Sequence, residues 1–303
     1  MKPVLLTGAT GFIGQRLQKA LLDDGRKPAA LIRPESNHKD RLLAGTESLL
    51  ADLTDTHSLL PAISEAGAII YCAGSVRGRK LEDFRAANID GIRSVVEAMN
   101  QLNLELPLLL ISSLAASRPQ VSDYANSKHL GEQEVRDHAR FPWTIFRPPA
   151  VYGPGDKEMM PILKLAIKGL VTPTGPAAQR LSLIHVDDLT SAVLAWLGSW
   201  QQCRNQLFTL DDGHEGGYSW REIAETASGG NYRLMRIPAW LLFGVAGINL
   251  SVSRLFGYAP MLTPGKAREL TQTDWVCNNK ALSKTCGWAP SITLEEGLLS
   301  LLV

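Results

Sequence analysis

Tyr124-Ala125-Asn126-Ser127-Lys128 puts a phenol and an ammonium one helical turn apart, on the same helix face. An ordinary tyrosine, with a pKa of ~10, is a poor acid or base at neutral pH. A neighbouring Lys⁺ favours the phenolate, so Lys128 would bring Tyr124 toward the range where it can move a proton. Just upstream, an apolar run ends in Ile111-Ser112-Ser113. The C-terminal end of a parallel strand is where open α/β sheets bind ligands. A serine hydroxyl there can donate to a carbonyl oxygen as negative charge develops on it. Either serine alone could simply cap a loop. Serine, Tyr124 and Lys128 as a set spell proton and charge handling at a carbonyl or a secondary alcohol.

The second constellation is Thr7-Gly8-Ala9-Thr10-Gly11-Phe12-Ile13-Gly14, entered by an apolar run and left by an amphipathic one. Gly8 permits a tight turn, Gly11 lets backbone approach a pyrophosphate, and Gly14 lets helix pack on strand. The helix N-terminus that follows would face the phosphates with unpaired N–H groups. Thr10, Phe12 and Ile13 complete this dinucleotide-binding loop. The end of the second strand selects the dinucleotide: an acid there binds ribose hydroxyls, a cation suits a 2′-phosphate. Here it reads Leu31-Ile32-Arg33-Pro34, so Arg33 predicts NADP(H) in preference to NAD(H). Asp52-Leu53 is placed to meet the adenine edge, although Asp52 could equally cap a helix. Lys128 could also hold the nicotinamide ribose.

These residues need a scaffold. Val4–Leu6, Ala29–Arg33, Ala68–Cys72, Leu108–Ser112 and Thr144–Phe146 are continuous apolar runs, as expected of strands buried on both faces. Phe12–Asp24, Leu81–Leu102 and Asp123–Arg140 carry apolar residues at helical spacing. The alternation predicts an α/β fold: a Rossmann-type doubly wound parallel sheet with a smaller C-terminal substrate-binding lobe. Residues 1–150 form the dinucleotide-binding core in this reading. Residues 151–303 return to the sheet, through a helix opening at His185-Val186-Asp187-Asp188-Leu189 and a strand at Gln206–Leu210, and build the lobe from about Glu215 onward.

Bulk properties exclude several classes. The 303 residues are 45% hydrophobic and 20% charged, ordinary for a soluble globular protein. A formal net charge of +1 supplies no global field for nucleic acid. Four scattered cysteines, with no Cys-x-x-Cys pair, predict reduced thiols and no metal site. The N-terminus reaches its glycine turn before a signal-peptide core could form, so a cytoplasmic location is the expectation. Ala239–Ile248 is apolar but shorter than the ~20 residues of a membrane span. A buried or substrate-facing helix is expected there, with a membrane-surface or partner-binding helix as the alternative.

The motifs, in this order, resemble the extended short-chain dehydrogenase/reductases of the NAD-dependent epimerase/dehydratase superfamily. They are Thr7–Gly14, Ser112-Ser113, Tyr124 with Lys128, Arg147-Pro148-Pro149-Ala150-Val151-Tyr152-Gly153-Pro154-Gly155, and His185–Leu189. The resemblance implies that Ser113 is the catalytic serine, with Ser112 the alternative. It implies that Ala73-Gly74 belongs to the cofactor loop, that Asn88-Ile89-Asp90-Gly91 is the structural-asparagine segment, and that Pro148 to Val151 line the nicotinamide pocket. It also implies a small-molecule substrate, and the two long helices Leu81–Leu102 and Asp123–Arg140 could pair a homodimer.

Two departures bear on substrate. Ser113 and Tyr124 are only 11 positions apart, a shorter interval than in the family's sugar epimerases, so the loop over the substrate is small. Those epimerases also tend to carry an arginine four residues before the histidine, aimed at a nucleotide diphosphate. Here that position is Leu181, and Arg180 is one step out of register, which on a strand turns it to the other face. By contrast, Leu255–Lys266 and Cys286-Gly287-Trp288-Ala289-Pro290 are similar to the branch of dihydroflavonol reductases and 3β-hydroxysteroid dehydrogenases, which implies an apolar pocket near Trp240, Phe243 and Tyr258. The leading expectation is an NADP(H)-dependent alcohol–ketone oxidoreductase on a moderately apolar small molecule. A nucleotide-sugar epimerase or dehydratase is the alternative, and a non-catalytic dinucleotide sensor or assembly factor is the third.

Overall fold

The structure, a computed structural model, describes residues 2–302. Its centre is a sheet of seven strands: β1 (Val4–Thr7), β2 (Pro28–Ile32), β3 (Glu47–Leu50), β4 (Ala68–Tyr71), β5 (Leu108–Ile111), β6 (Trp143–Arg147) and, after four short strands outside it, β11 (Gln206–Thr209). The spatial order is β11-β6-β5-β4-β1-β2-β3, every pairing parallel. Successive side chains alternate faces, and both faces are covered. Leu6, Ile70 and Leu109 point into a core with Leu17 and Leu21 of α1 (Phe12–Asp23) and Trp196 of α7 (Val186–Cys203). Leu5, Ile69 and Leu108 point the other way, against Leu59 and Ile63 of α2 (Thr56–Glu65) and Val95 and Met99 of α4 (Gly91–Leu102). The doubly wound expectation is therefore met residue by residue. Truncating one of these buried leucines to alanine would cost about 2–5 kcal/mol.

Strand order reverses between β1 and β4, and in open α/β sheets the crevice at such a switch point is where ligands bind. The fully buried Thr7 closes it: its hydroxyl accepts from the backbone N–H of Cys72 at 3.1 Å and of Ala73 at 3.0 Å.

The helix expected over Leu81–Leu102 is broken in character. A single turn, α3 (Glu82–Arg85), passes into a π-helical stretch, Ala86–Asp90, before α4. Such wide turns mark places where the regular ladder yields to something else. Here α5 (Asp123–His138) approaches so closely that a Cβ on Gly131 would stand 2.2 Å from the Asn88 carbonyl.

Beyond 150 the chain forms the short strands β7 (Ala150–Tyr152), β8 (Leu170–Val171), β9 (Arg180–Leu181) and β10 (Leu183–His185), with α6 (Met160–Ile167) among them. A third core gathers Tyr152, Leu163, Leu183, Ile223 and Leu298. It is completed by β12 (Tyr218–Ser219), α8 (Trp220–Ser228), β13 (Arg233–Leu234), β14 (Asp274–Trp275) and α12 (Leu294–Leu299), while α11 (Lys280–Cys286) packs back on α7.

One expectation is met only in part, since the helix from Ala239 is not buried although its Leu250 lines a cavity beside Tyr124. The apolar stretch from Ala239 runs on past Ile248 as an 18-residue helix, α9 (Ala239–Phe256), with mean hydropathy 1.4 and only 17% of it buried. It is neither buried nor short, and by length and composition alone it would suffice to cross a membrane. The reason is geometric: only one stripe, Leu242, Ala246 and Ser253, turns inward, toward α10 (Pro264–Leu270).

Candidate active site

The glycine turn after β1 is dictated by space. Gly8 has φ +68°, and a Cβ there would lie 2.7 Å from the Ala73 nitrogen. A Cβ on Gly14 would stand 2.1 Å from the Gly8 carbonyl, so α1 rests directly on the turn. Gly11 caps α1 with no side-chain hydrogen bond, and no acid sits in the first turn. Its orphan N–H groups and positive dipole end are left for an anion. A cradle with no room for side chains, ending in an uncapped helix, fits a pyrophosphate. Thr10, Phe12 and Ile13, all half-buried, lie on this turn, and Phe12 sits 3.6 Å from where a Gly155 Cβ would be.

Arg33 is exposed at the tip of β2, close enough to Asp52 for its charge to act on it. Backbone and hydroxyl hydrogen bonds from Thr54, at 2.8 and 2.9 Å, hold the Asp52 carboxyl below its usual range, with Arg33 adding to them. The cap of α2 is Asp55, not Asp52. Leu53 packs into the core on that face of the sheet. The sheet thus brings Gly8, Arg33, Asp52, Leu53, Ala73 and Gly74 to one edge, the C-terminal ends of β1 to β4.

Across β5 the two serines separate. Ser112 is buried and donates to Glu132 Oε1 at 2.5 Å, while Glu132 holds Arg147 through both oxygens at 2.8 and 2.5 Å. Ser112 is thereby committed to the core. Ser113 is half-buried, and its hydroxyl receives only the Ala115 N–H, at 3.2 Å, among the bonds within the turn that follows. It also lies near enough to the Tyr124 phenol to lower that group's pKa.

Ser122 starts α5 by accepting the Ala125 N–H, which sets Tyr124 in the first turn and Lys128 one turn later. Lys128 is buried and donates to the Ile111 carbonyl at 2.9 Å. Burial pulls its ammonium down to about 8, against the opposing pull of Cys72 and Glu132. It stands 3.5 Å from where a Gly74 Cβ would be, beside Asn88. Asn88 is buried in the π turn and ties three segments together: it donates to the Ser75 carbonyl and to Ser127, and accepts the Ser75 N–H.

Burial raises the Tyr124 phenol above 10, Ser113 and the Lys266 ammonium lower it, and the carboxylates of Glu269 and Glu158 raise it. Lys266 is therefore a cation that acts on the phenol, one that the spacing of Tyr124 and Lys128 does not reveal. Lys266 Nζ stands 5.9 Å from the Tyr124 ring centre and 2.8 Å from Glu269, whose other oxygen takes the Ser122 hydroxyl. Arg268 donates to the Val121 carbonyl at 2.9 Å. So α10 clamps the start of the helix that carries Tyr124. In the sequence Lys266 only ends the Leu255–Lys266 segment that resembles the reductase branch; its place at the site depends on tertiary packing.

Beside Tyr124 lies a cavity of about 150 Å³, lined among others by Phe84, Leu250, Met261, Lys266 and Arg79. Pro148 accepts the Leu114 N–H at 2.8 Å and so flanks the strand end that carries Ser113, while Val151 pairs with Ile184 in β10. Leu181 is buried and Arg180 turns to the opposite side, donating to the Gly216 and Gly217 carbonyls and pairing with Glu222. His185 and Asp188 are structural: His185 caps α7, and Asp188 accepts from Ser291 and Ile292, tying down the C-terminal segment.

Residues 4–205 match the NAD dependent epimerase/dehydratase family. The chain is 35% identical over 288 residues to the ceramide reductase of Caulobacter vibrioides, covering 93% of this chain and 88% of that one. It is 27% identical over 329 residues to the UDP-glucose 4-epimerase of Vibrio cholerae, covering 98% and 93%. In fold it is similar to the crystal structure of gox2253, with TM-score 0.75 at 22% identity over 100% of this chain and 98% of that one. The chain belongs to the NAD-dependent epimerase/dehydratase family, and is an NAD(P)-dependent oxidoreductase of the extended short-chain dehydrogenase/reductase type.

Proposed function

We propose that this enzyme interconverts a ketone and a secondary alcohol on a long-chain lipid of the ceramide class, preferring NADP(H). The observation that carries the substrate class is the 35% identity to a ceramide reductase, sustained over 93% of the chain. The cavity beside Tyr124 has an apolar wall of Phe84, Leu250 and Met261 facing the charged Arg79, Lys266 and Glu269, which suits a molecule with both an apolar chain and a polar head. Arg33, exposed at the tip of β2, supports a 2′-phosphate partner.

When bound, the dinucleotide supplies or accepts the hydride. Tyr124 moves the proton at the substrate oxygen, and Ser113 donates a hydrogen bond to that oxygen as charge develops. Lys128, anchored by the Ile111 carbonyl at the level of Gly74, holds the dinucleotide ribose. Lys266 supplies the positive charge that eases Tyr124 toward phenolate.

A nucleotide-sugar epimerase is the second reading, favoured by the 27% identity to a UDP-glucose 4-epimerase. Arg180 weighs against it, because its guanidinium is spent on Gly216, Gly217 and Glu222. The experiment denatures the purified protein to identify retained dinucleotide, then follows NADPH consumption with a ceramide-type ketone dispersed in detergent. An empty or exchangeable site with turnover of the ketone supports the reductase. Tightly retained NAD⁺ with turnover of a UDP-sugar supports the epimerase instead.

A further inference from the structure

We infer that α9 is a docking surface for an anionic lipid bilayer, lying along the membrane and not through it. The outward face is built of side chains that water does not favour. Trp240 is 75% exposed, Ile248 67%, Leu255 79% and Phe256 74%. At 100° per residue, Trp240, Ile248 and Leu255 fall on the face opposite Leu242, Ala246 and Ser253. Continuous apolar patches of this kind on a soluble protein mark an interaction site.

Charge identifies the occupant. Between Glu225 and Glu269 the chain has no acidic residue, and five cations: Arg233, Arg236, Arg254, Lys266 and Arg268. In a protein of net charge +1 this is a strong local asymmetry. Arg233, Arg236 and Arg254 are exposed, and among the described residues none of them pairs with a carboxylate. Exposed apolar side chains with unpaired arginines close before and within the helix, and a tryptophan at one end, are the features that hold a helix at an anionic headgroup layer. A second copy fits less well, because a two-fold contact through this face would set the same arginines against each other.

The inner stripe keeps α9 from crossing the bilayer. Leu242 and Ala246 bury against Ala267 of α10, with Leu262 and Leu270 packed around them. Asn249 donates to the Leu262 carbonyl at 2.8 Å, and Tyr258 donates to Asn249. Insertion would strip the helix from all of these contacts. Leu250 of the same helix, with Met261 beyond it, lines the cavity beside Tyr124. Docking would therefore bring the mouth of that cavity to the lipid, where a ceramide-type substrate resides; this last step rests on the function proposed above.

The test is flotation of the full-length protein with vesicles of phosphatidylcholine alone or mixed with phosphatidylglycerol, without substrate or dinucleotide. The expected result is flotation with the anionic vesicles, weakened by salt. A triple substitution Trp240→Ser, Ile248→Ser, Leu255→Ser and a separate triple Arg233→Glu, Arg236→Glu, Arg254→Glu should each lower the bound fraction roughly tenfold or more. All six positions are exposed, so unchanged thermal melts confirm that each variant is folded. A wild type that stays soluble with both vesicles overturns the inference, as do variants that float like the wild type. So does protein that resists an alkaline carbonate wash, which would mean a span, or a dimer that only the apolar triple dissolves without any vesicle binding. Because no substrate is present, failure of the ketone to turn over would sink the function and leave this result standing.

Discussion

Lys266 Nζ stands 5.9 Å from the centre of the Tyr124 ring while remaining 2.8 Å from Glu269. The phenol therefore feels a cation and, behind it, an anion, from a helix far along the chain. Removing the cation by Lys266→Met should move the Tyr124 limb of the kcat/KM pH profile to higher pH. Glu269→Gln should move it to lower pH, because the carboxylate raises the phenol's pKa. In the reducing direction Tyr124 must be protonated, so activity falls as pH rises through that limb. Measured profiles that coincide with the wild type would remove Lys266 from this role.

The two serines should fail in different ways. Ser112→Ala removes a buried hydrogen bond to Glu132, the partner of Arg147, and should cost about 1.5–3 kcal/mol of stability. Its effect on kcat should be small once the protein is folded. Of the bonds that hold the fold, Ser113→Ala loses only a local turn contact, yet it should lower kcat about 10²–10³-fold by withdrawing a donor from the reacting oxygen. Urea titration and steady-state kinetics on both variants separate the two; the reverse pattern would exchange their roles.

Much of this site was legible because it is local. The Gly8 turn, the Tyr124–Lys128 spacing and the strand ending at Ser113 are each written within a few residues. The edge strand β3 was harder to read, because Glu47–Leu50 is not buried and carries no continuous apolar signal. Lys266 was illegible as a partner, since only the packing of α10 on Ser122 and Val121 brings it to Tyr124. The stretch from Ala239 left two readings open, buried or substrate-facing against membrane-surface or partner-binding, because an apolar helix has the same composition whatever covers it; the structure leaves most of it exposed. The missing signal was charge, in the acid-free run that surrounds it.

Arg33 makes a prediction about dinucleotide choice. Arg33→Asp replaces a cation at the tip of β2 with an acid beside Asp52. A guanidinium–phosphate bond is charge-assisted, so NADPH affinity should fall about tenfold to a hundredfold while NADH affinity holds or improves. Isothermal titration with each dinucleotide decides it, and equal losses would assign the preference elsewhere.

Lys128 links stability to pH. Its ammonium falls from an ordinary 10.5 to about 8 in the folded chain, chiefly because it is buried. A depressed pKa means the unfolded chain binds more protons between those two values, so stability rises with pH across that window. Below pH 8 the folded protein carries the full penalty of a buried charge; above 10.5 the penalty is gone. Set against Lys128→Met, which cannot titrate, the wild type should gain about 3 kcal/mol as pH climbs from 8 to 10.5. The loss of the bond to the Ile111 carbonyl shifts the whole comparison but not its slope. Denaturant unfolding of both proteins at half-unit steps of pH measures that slope directly. A flat difference would mean that Lys128 keeps its ordinary pKa, and the charge it offers a bound ribose would then be indifferent to pH near neutrality.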